Sequence, residues 1–161
     1  MKRQLRMRKL FDGLDRLLRA LAIAIVLGML AVLALQVGMR YLGGRSLSWS
    51  EELSLLGFSW VVVLASALGL RSSLHARMSA LIDALPGRSG QALERAVALL
   101  VAALGAAMAL AGWDYLRETR GMVSASIGYP VEILHAAAPV FGLLVLVFSL
   151  ERAVLGPAEQ S

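Results

Sequence analysis

The polar residues best placed to do chemistry in this 161-residue chain lie in one short segment between two apolar stretches. Arg40 ends the first stretch, Glu51 and Glu52 begin the second, and Ser48 and Ser50 lie just before them. Paired carboxylates can act as general acid and base. Adjacent helical residues point about 100° apart, however, so the two glutamates cannot converge on one substrate atom unaided. We therefore favour capping of the helix start, through an S-x-x-E capping box of Ser48 and Glu51, together with an ion pair to Arg40.

Histidine and cysteine, the usual ligands of haem and of transition metals, give little support to a redox or metal centre. The chain contains two histidines, His75 and His135, and no cysteine. The topology derived below places the two histidines on opposite sides of a membrane, so one haem cannot take both as axial ligands. We predict no cofactor and no metal, and interpret His75 as an interfacial polar residue. A haem-binding membrane redox subunit remains a less favoured alternative.

Four long apolar segments must position these residues. Each runs for about eighteen residues or more without Asp, Glu, Lys or Arg, long enough for a helix to cross a hydrocarbon core about 30 Å thick. A helix pairs its own backbone groups, which lipid cannot do. The predicted spans are residues 20–39, 53–70, 96–113 and 133–150. The fold class that follows is all-α integral membrane, with one four-helix transmembrane domain over residues 1–161.

The distribution of basic residues orients this domain. Twelve of them lie in the N-terminal tail, the loop between spans two and three and the C-terminal tail, against four in the other two loops. Cytoplasmic loops carry the excess of Lys and Arg, so both termini are predicted to be cytoplasmic. Five aromatic residues that favour a membrane interface flank the two outward loops: Tyr41, Trp49, Trp113, Tyr115 and Tyr129. The net charge of +5 therefore reflects topology, and we predict no nucleic-acid partner.

Two amphipathic segments accompany the spans on the predicted cytoplasmic side. Over residues 10–21, leucines recur at helical spacing while basic residues occupy the other faces. This pattern predicts a basic helix that lies on anionic lipid before the chain turns into the bilayer, with a solvated basic tail as the alternative. Residues 74–85 show a second apolar helical face that ends at Pro86, and predict a short interfacial helix in the cytoplasmic loop.

Prolines and small residues predict how the later spans are shaped. Pro130 suits the first turn of span four, whereas Pro139 removes a backbone hydrogen bond within that span and predicts a kink. Span three carries alanines at every fourth position on two faces: Ala98, Ala102 and Ala106 on one, and Ala103, Ala107 and Ala111 on the other. Such faces let helix backbones approach closely, either inside the bundle or against another subunit.

The spans themselves hold no Asp, Glu, Lys or Arg. Coupled transport and proton relays usually need an ionisable group, or unwound helices, at the midplane of the membrane. The chain is therefore a poor candidate for a transporter on its own. We expect an accessory subunit that holds or presents another protein.

Several short motifs recur in a recognisable order along the chain. They are Gln36-x3-Arg40-Tyr41, Trp49-Ser50-Glu51-Glu52-Leu53, Gly69-x-Arg71-x3-His75, Gly128-Tyr129-Pro130 and Ala138-Pro139-x2-Gly142. This ordered set resembles the DctQ-like family, the small membrane subunit of tripartite ATP-independent periplasmic (TRAP) transporters. The resemblance extends from about Leu14 to Leu150.

The resemblance implies a function and a set of partners. A large membrane subunit, which carries the substrate and sodium sites, would form a stable complex with this chain. A periplasmic substrate-binding protein would deliver an organic acid such as a dicarboxylate, a keto acid or sialic acid, in transient contact. Membrane lipid surrounds the complex in the bacterial inner membrane, and the chain is not an enzyme. An accessory or assembly subunit of an unrelated membrane complex is the alternative.

The same resemblance, together with the positions of the residues, assigns partner-contact or structural roles. We expect Arg40, Trp49, Glu51 and Glu52 to shape the outward hairpin and its contact with a partner. The full predicted set is Gln36, Arg40, Tyr41, Trp49, Glu51, Glu52, His75, Pro130 and Pro139. No catalytic, cofactor-binding or metal-binding residue is predicted.

Overall fold

The structure, a computed structural model, describes residues 2–43, 47–72 and 88–155. These residues form five helices: α1 (Lys2–Gly43), α2 (Ser48–Ser72), α3 (Arg88–Glu118), α4 (Glu132–His135) and α5 (Ala137–Leu155). Among the described residues, four stretches are long and apolar enough to cross a membrane: Arg8–Leu42, Ser48–Arg71, Ala92–Glu118 and Glu132–Val154. The predicted all-α membrane fold is confirmed. The interfacial helix predicted over residues 74–85 lies outside the described residues, as does His75.

The basic N-terminal segment and the first span form one uninterrupted helix, α1. The turn that we expected between them does not occur within Lys2–Gly43. Leu18 is buried in an apolar cluster with Leu68 of α2 and Phe148 of α5, and Leu14 packs against that cluster. Part of the apolar face of this segment therefore contacts other helices, whereas Leu10 and Leu17 of the same segment are exposed.

The helices α3 and α5 pack so closely that their backbones touch. A Cβ atom at Gly142 would lie 2.7 Å from the Ala109 Cα atom, and one at Gly105 would lie 2.7 Å from the Leu146 nitrogen. Glycine is required at both positions because any side chain would force the helices apart. The order of small residues along both helices thus produces a tight α3–α5 hairpin.

The two alanine faces of α3 have different environments. Ala98 and Ala102 are buried against the rest of the bundle, and Ala106 is half-buried. The face formed by Ala103, Ala107 and Ala111 is exposed. The first face therefore packs inside the bundle of this chain. For that face, the structure decides between the two possibilities left open by the sequence, packing inside the bundle or against another subunit.

The helix α2 connects the α1–α2 hairpin to the α3–α5 hairpin, because it packs against both α1 and α5. At its contact with α1, a Cβ atom on Gly57 would lie 2.7 Å from the Met29 Cγ atom. That neighbour is the flexible end of a side chain and not backbone. The α1–α2 hairpin is therefore closed by adaptable side chains in its middle.

The fourth span is interrupted at Ala136, between α4 and α5. Pro139 lies in the first turn of α5 and has no N–H to bond the His135 carbonyl, which accounts for this interruption, whereas the kink predicted for the span stays a prediction. Pro130 differs from expectation, since it precedes α4 and the residue before the helix is Val131. Its carbonyl accepts the Ile133 N–H at 3.0 Å, so Pro130 closes the outward loop and is not part of the helix.

Candidate functional site

Polar contacts between the two hairpins lie at both ends of α2. We name these ends after the predicted topology. The outer end comprises the start of α2 and the loop of residues 119–131 between α3 and α4. The inner end comprises the last turn of α2 with the parts of α1 and α5 beside it. At each end, one charged side chain of α2 bonds to the α3–α5 hairpin or its loop.

At the outer end, the Glu52 carboxylate holds the loop between α3 and α4. It accepts a hydrogen bond from the Ser124 hydroxyl at 2.7 Å and from the backbone N–H groups of Ser126 and Ile127 at 2.9 and 3.1 Å. Hydrogen bonds to an ionised acceptor are stronger than neutral ones. One side chain therefore fixes the loop to a helix more than seventy residues earlier in the chain.

The loop held by Glu52 is also bonded within itself. Ser124 donates its N–H to the Tyr129 carbonyl at 2.9 Å, and its hydroxyl oxygen accepts the Gly128 N–H at 3.0 Å. Gly128 has a φ of 75°, which a residue with a side chain rarely adopts. Burial, reinforced by the nearby Glu52 charge, raises the pKa of the Tyr129 hydroxyl. These contacts give the loop one defined shape.

His135 takes part in the base of the same loop. Its Nδ1 atom lies 2.9 Å from the Thr119 hydroxyl, and its ring centroid lies 4.6 Å from that of Tyr115. Nearby, the Gly121 N–H donates to the Glu132 carboxylate at 3.0 Å, where Gly121 has a φ of 80°. His135 thus ties the end of α3 to α4. Over the described ranges, no group of three or more His, Asp or Glu side chains could hold a metal ion.

The predicted ion pair between Arg40 and the two glutamates is wrong. Within the part of the chain that the structure describes, Arg40 pairs with neither Glu51 nor Glu52. Glu52 is directed to the loop instead, and Glu51 and Arg40 are exposed. Arg40 and the two glutamates are close in sequence, which suggested an ion pair. In the structure, the loop between α3 and α4 instead offers the Glu52 carboxylate three hydrogen-bond donors.

The predicted capping box is also wrong. Ser48 is the first residue of α2, and its hydroxyl lies 3.1 Å from that of Ser126. The buried Ser50 side chain donates to the Leu47 carbonyl at 2.6 Å, and its N–H bonds to the same oxygen. Ser48 therefore contacts the loop between α3 and α4, and its hydroxyl does not accept the Glu51 N–H as a capping box requires.

The other predicted residues of the first hairpin lie on or beside α1 with few contacts inside the chain. Tyr41 is 84% exposed, and Trp49 is half-buried at the start of α2. Gln36 is half-buried on α1. The structure therefore brings Glu52 and Ser48 together with the loop, and leaves Arg40 and Tyr41 outside that cluster.

At the inner end, Arg71 is the centre of an ionic cluster that sequence reasoning missed. Its guanidinium donates two hydrogen bonds to Glu151 at 3.1 Å and one to Asp12 at 2.7 Å, and it lies 3.4 Å from Asp15. Arg71 and Glu151 are each only 8% exposed. The guanidinium carbon also lies 5.7 Å from the centroid of the Phe148 ring, within the range of a cation–π contact. One arginine thus joins α1, α2 and α5.

A second ion pair lies near this cluster. The Arg152 guanidinium donates to the Glu94 carboxylate at 2.9 Å, which joins α5 to the first part of α3. Arg71 stood in one of the motifs used for the family resemblance, but its partners are 59 and 80 residues away in sequence. In the sequence, each charged residue of these ion pairs lies next to a predicted span and is indistinguishable from a solvated residue.

Comparison with known proteins gives a consistent result. Residues 29–157 match the family model described as the DctQ component of tripartite ATP-independent periplasmic transporters. The sialic acid TRAP transporter small permease protein SiaQ of Vibrio cholerae is 23% identical over 161 positions, with 96% of this chain and 91% of SiaQ covered. A protein of Haemophilus influenzae named as a TRAP transporter small permease is 24% identical over 149 positions, with 92% of each chain covered.

Proposed function

The chain belongs to the DctQ family of TRAP transporter small permease subunits, and from this premise we propose that it scaffolds a large membrane subunit. As a small TRAP permease it is a component of a transporter in the inner membrane and not an enzyme. The family match over most of the chain is the observation that carries the proposal. The absence of Asp, Glu, Lys and Arg from the predicted spans supports it, because the substrate and ion sites then belong to a partner.

The proposed transport cycle is sodium-coupled and depends on a binding protein. The substrate is an organic acid of the dicarboxylate, keto acid or sialic acid type. The Vibrio cholerae relative is named for sialic acid, which supports an acidic substrate. At 23% identity, that name does not by itself select sialic acid among these acids for this chain.

The contacts at the two ends of α2 suit a scaffold. A scaffold must keep its shape while its partner moves, and the Arg71 cluster and the Glu52 carboxylate join the two hairpins at both ends. The loop fixed by Glu52 also exposes three apolar side chains, Met122, Val123 and Ile127. Exposed apolar groups on an ordered surface mark a contact site. We assign this loop to transient contact with the periplasmic binding protein.

Co-purification tests the central claim. The tagged full chain is extracted from its native membrane in mild detergent, and the proteins that accompany it are identified by mass spectrometry. We expect a large membrane subunit with many spans at a fixed stoichiometry. A tagged, unrelated four-helix membrane protein from the same cells serves as the control. Recovery of the chain alone, or with an unrelated complex, would favour the assembly-subunit alternative.

Reconstitution tests the transport claim and the role of the outer end. The complex is placed in proteoliposomes with the binding protein, and uptake of a panel of labelled organic acids is measured with and without a sodium gradient. We expect uptake only with the gradient. We also expect Glu52→Lys to lower assembly or uptake more than Glu51→Lys, because only Glu52 bonds the loop. Uptake that ignores the gradient contradicts sodium coupling, and an unaffected Glu52→Lys complex contradicts the assigned site.

A further inference from the structure

A groove of about 440 Å³ lies between α1 and α2. Ile25, Gly28, Met29 and Val32 line it from α1, with Gly57 and Trp60 on the opposite side. Gly28 leaves its own space open, since a Cβ atom there would meet nothing within 4 Å, whereas the Met29 side chain fills the position beside Gly57.

The lining of the groove excludes a polar occupant. Its side chains are apolar, and the indole N–H of Trp60 already donates to the Ile133 carbonyl at 3.1 Å. Apolar cavities do not retain water. Both flanking helices are among those long and apolar enough to span a membrane, so the groove lies at the depth of hydrocarbon. An aliphatic chain is the occupant whose chemistry fits.

Two polar side chains lie further along the same face of α1. At 100° per residue, Gln36 and Arg40 are each within about 20° of Met29, and about 10 and 16 Å beyond it along the axis. Arg40 is exposed, Gln36 is half-buried, and neither has a hydrogen-bond or ion-pair partner among the described residues. The predicted span of residues 20–39 is centred near Met29, so Gln36 lies inside the hydrocarbon, where an amide without a partner is unfavourable, and Arg40 lies at its boundary.

We propose that this face of α1 binds one phospholipid, with an acyl chain in the groove and the phosphate at Arg40. Arginine suits phosphate because its planar guanidinium donates two parallel hydrogen bonds. The distance of about 16 Å from Met29 to Arg40 matches half of a hydrocarbon core about 30 Å thick. Under the predicted topology the lipid belongs to the outer leaflet.

Native mass spectrometry of the complex tests this proposal. The full chain with its large subunit is washed in mild detergent, supplied with palmitoyl-oleoyl-phosphatidylethanolamine, and the retained phospholipids are counted. We expect Gly28→Phe to lose one phospholipid, because Gly28 lines the groove and its Cβ position is open, so the ring takes up space that the acyl chain needs. Gly38→Phe is the matched control, since Gly38 lies on α1 in equally open surroundings and does not line the groove.

A second pair of variants tests the headgroup contact and does not depend on the groove. We expect Arg40→Gln to lower retention of that phospholipid about tenfold, as the loss of one charged hydrogen-bond pair would. Arg117→Gln, an exposed arginine in the last turn of α3, should leave retention unchanged.

Three results would overturn the proposal. The first is equal retention of phospholipid in the unmodified chain and in Gly28→Phe, including no retention in either. The second is equal retention in Arg40→Gln and Arg117→Gln. The third is that Gly28→Phe releases the large subunit while Gly38→Phe keeps it, which would make a polypeptide the occupant of the groove.

Discussion

The two hairpins of this small membrane subunit are held together in different ways. In the α3–α5 hairpin, backbone meets backbone at Gly105 and Gly142. In the α1–α2 hairpin, the middle is closed by the Met29 side chain, and a groove remains beside it. Between the hairpins, Arg71 and Glu52 add polar contacts at the two ends of α2 to the apolar cluster shared by α1, α2 and α5.

This difference indicates a division of tasks within a very short chain. Backbone contact leaves no room for adjustment, so the α3–α5 hairpin behaves as one rigid unit. Side-chain contact with an adjacent groove allows α1 to accept another molecule on its face. A scaffold needs both properties, because it must keep its shape and also bind. Four substitutions test whether the division is real.

The largest expected effect is that of Gly142→Ala in α5. The new Cβ atom would lie 2.7 Å from the Ala109 Cα atom, so the two helices must separate along the hairpin. We expect the free energy of unfolding to fall by about 3 kcal/mol. Thermal unfolding of the purified chain in detergent measures it. Gly28→Ala makes the same chemical change in open space and should be neutral or slightly stabilising. Equal losses in both variants would remove the proposed difference between the hairpins.

The next effect is that of Arg71→Gln at the inner end. It leaves Glu151 buried without a cation, and we expect a loss of about 2 kcal/mol in the free energy of unfolding. This loss is smaller than the loss expected for a fully buried ion pair, because Asp12, one of the partners of Arg71, is mostly exposed. The control is Arg117→Gln, which replaces an exposed arginine in the last turn of α3 and should cost less than about 0.5 kcal/mol. Similar losses in both variants would show that the inner end does not join the hairpins.

A local effect is expected from Glu52→Gln at the outer end. The amide of glutamine keeps one acceptor oxygen but carries no charge. Its N–H groups would face the N–H and O–H donors of the loop, with which they cannot form hydrogen bonds. We expect backbone hydrogen exchange over residues 124–128 to accelerate about tenfold, because the loop opens more often. Hydrogen exchange with mass spectrometry detects this change. Glu51→Gln alters the neighbouring exposed carboxylate and should leave exchange of the loop unchanged.

The smallest effect is expected from Gly57→Ala on α2. The added methyl group displaces the Met29 side chain and not backbone, so the loss in the free energy of unfolding should stay below about 1 kcal/mol. The same thermal unfolding measures it beside Gly142→Ala. A loss at Gly57 as large as that at Gly142 would mean that the α1–α2 hairpin is as rigid as its neighbour.

The sequence predicted the fold class, and a kink near the place where the fourth span is interrupted, for local reasons. Four long apolar segments in lipid must be helices, and Pro139 lacks an N–H wherever it lies. It also singled out Glu52 as a residue of the site, but paired it with Arg40. The three donors that Glu52 uses belong to a loop more than seventy residues away, which no local pattern reveals.

The sequence by itself determined which segments are helical and apolar, where the charges concentrate and which family the chain resembles. These properties follow from residue types and from their spacing along one helix. The tertiary structure alone decided which alanine face of α3 is buried, where Glu52 is directed, and that Arg71 joins Asp12 and Glu151 in one cluster. Each of these depends on which helices become neighbours and at what height, and that is set by packing between segments far apart in the chain.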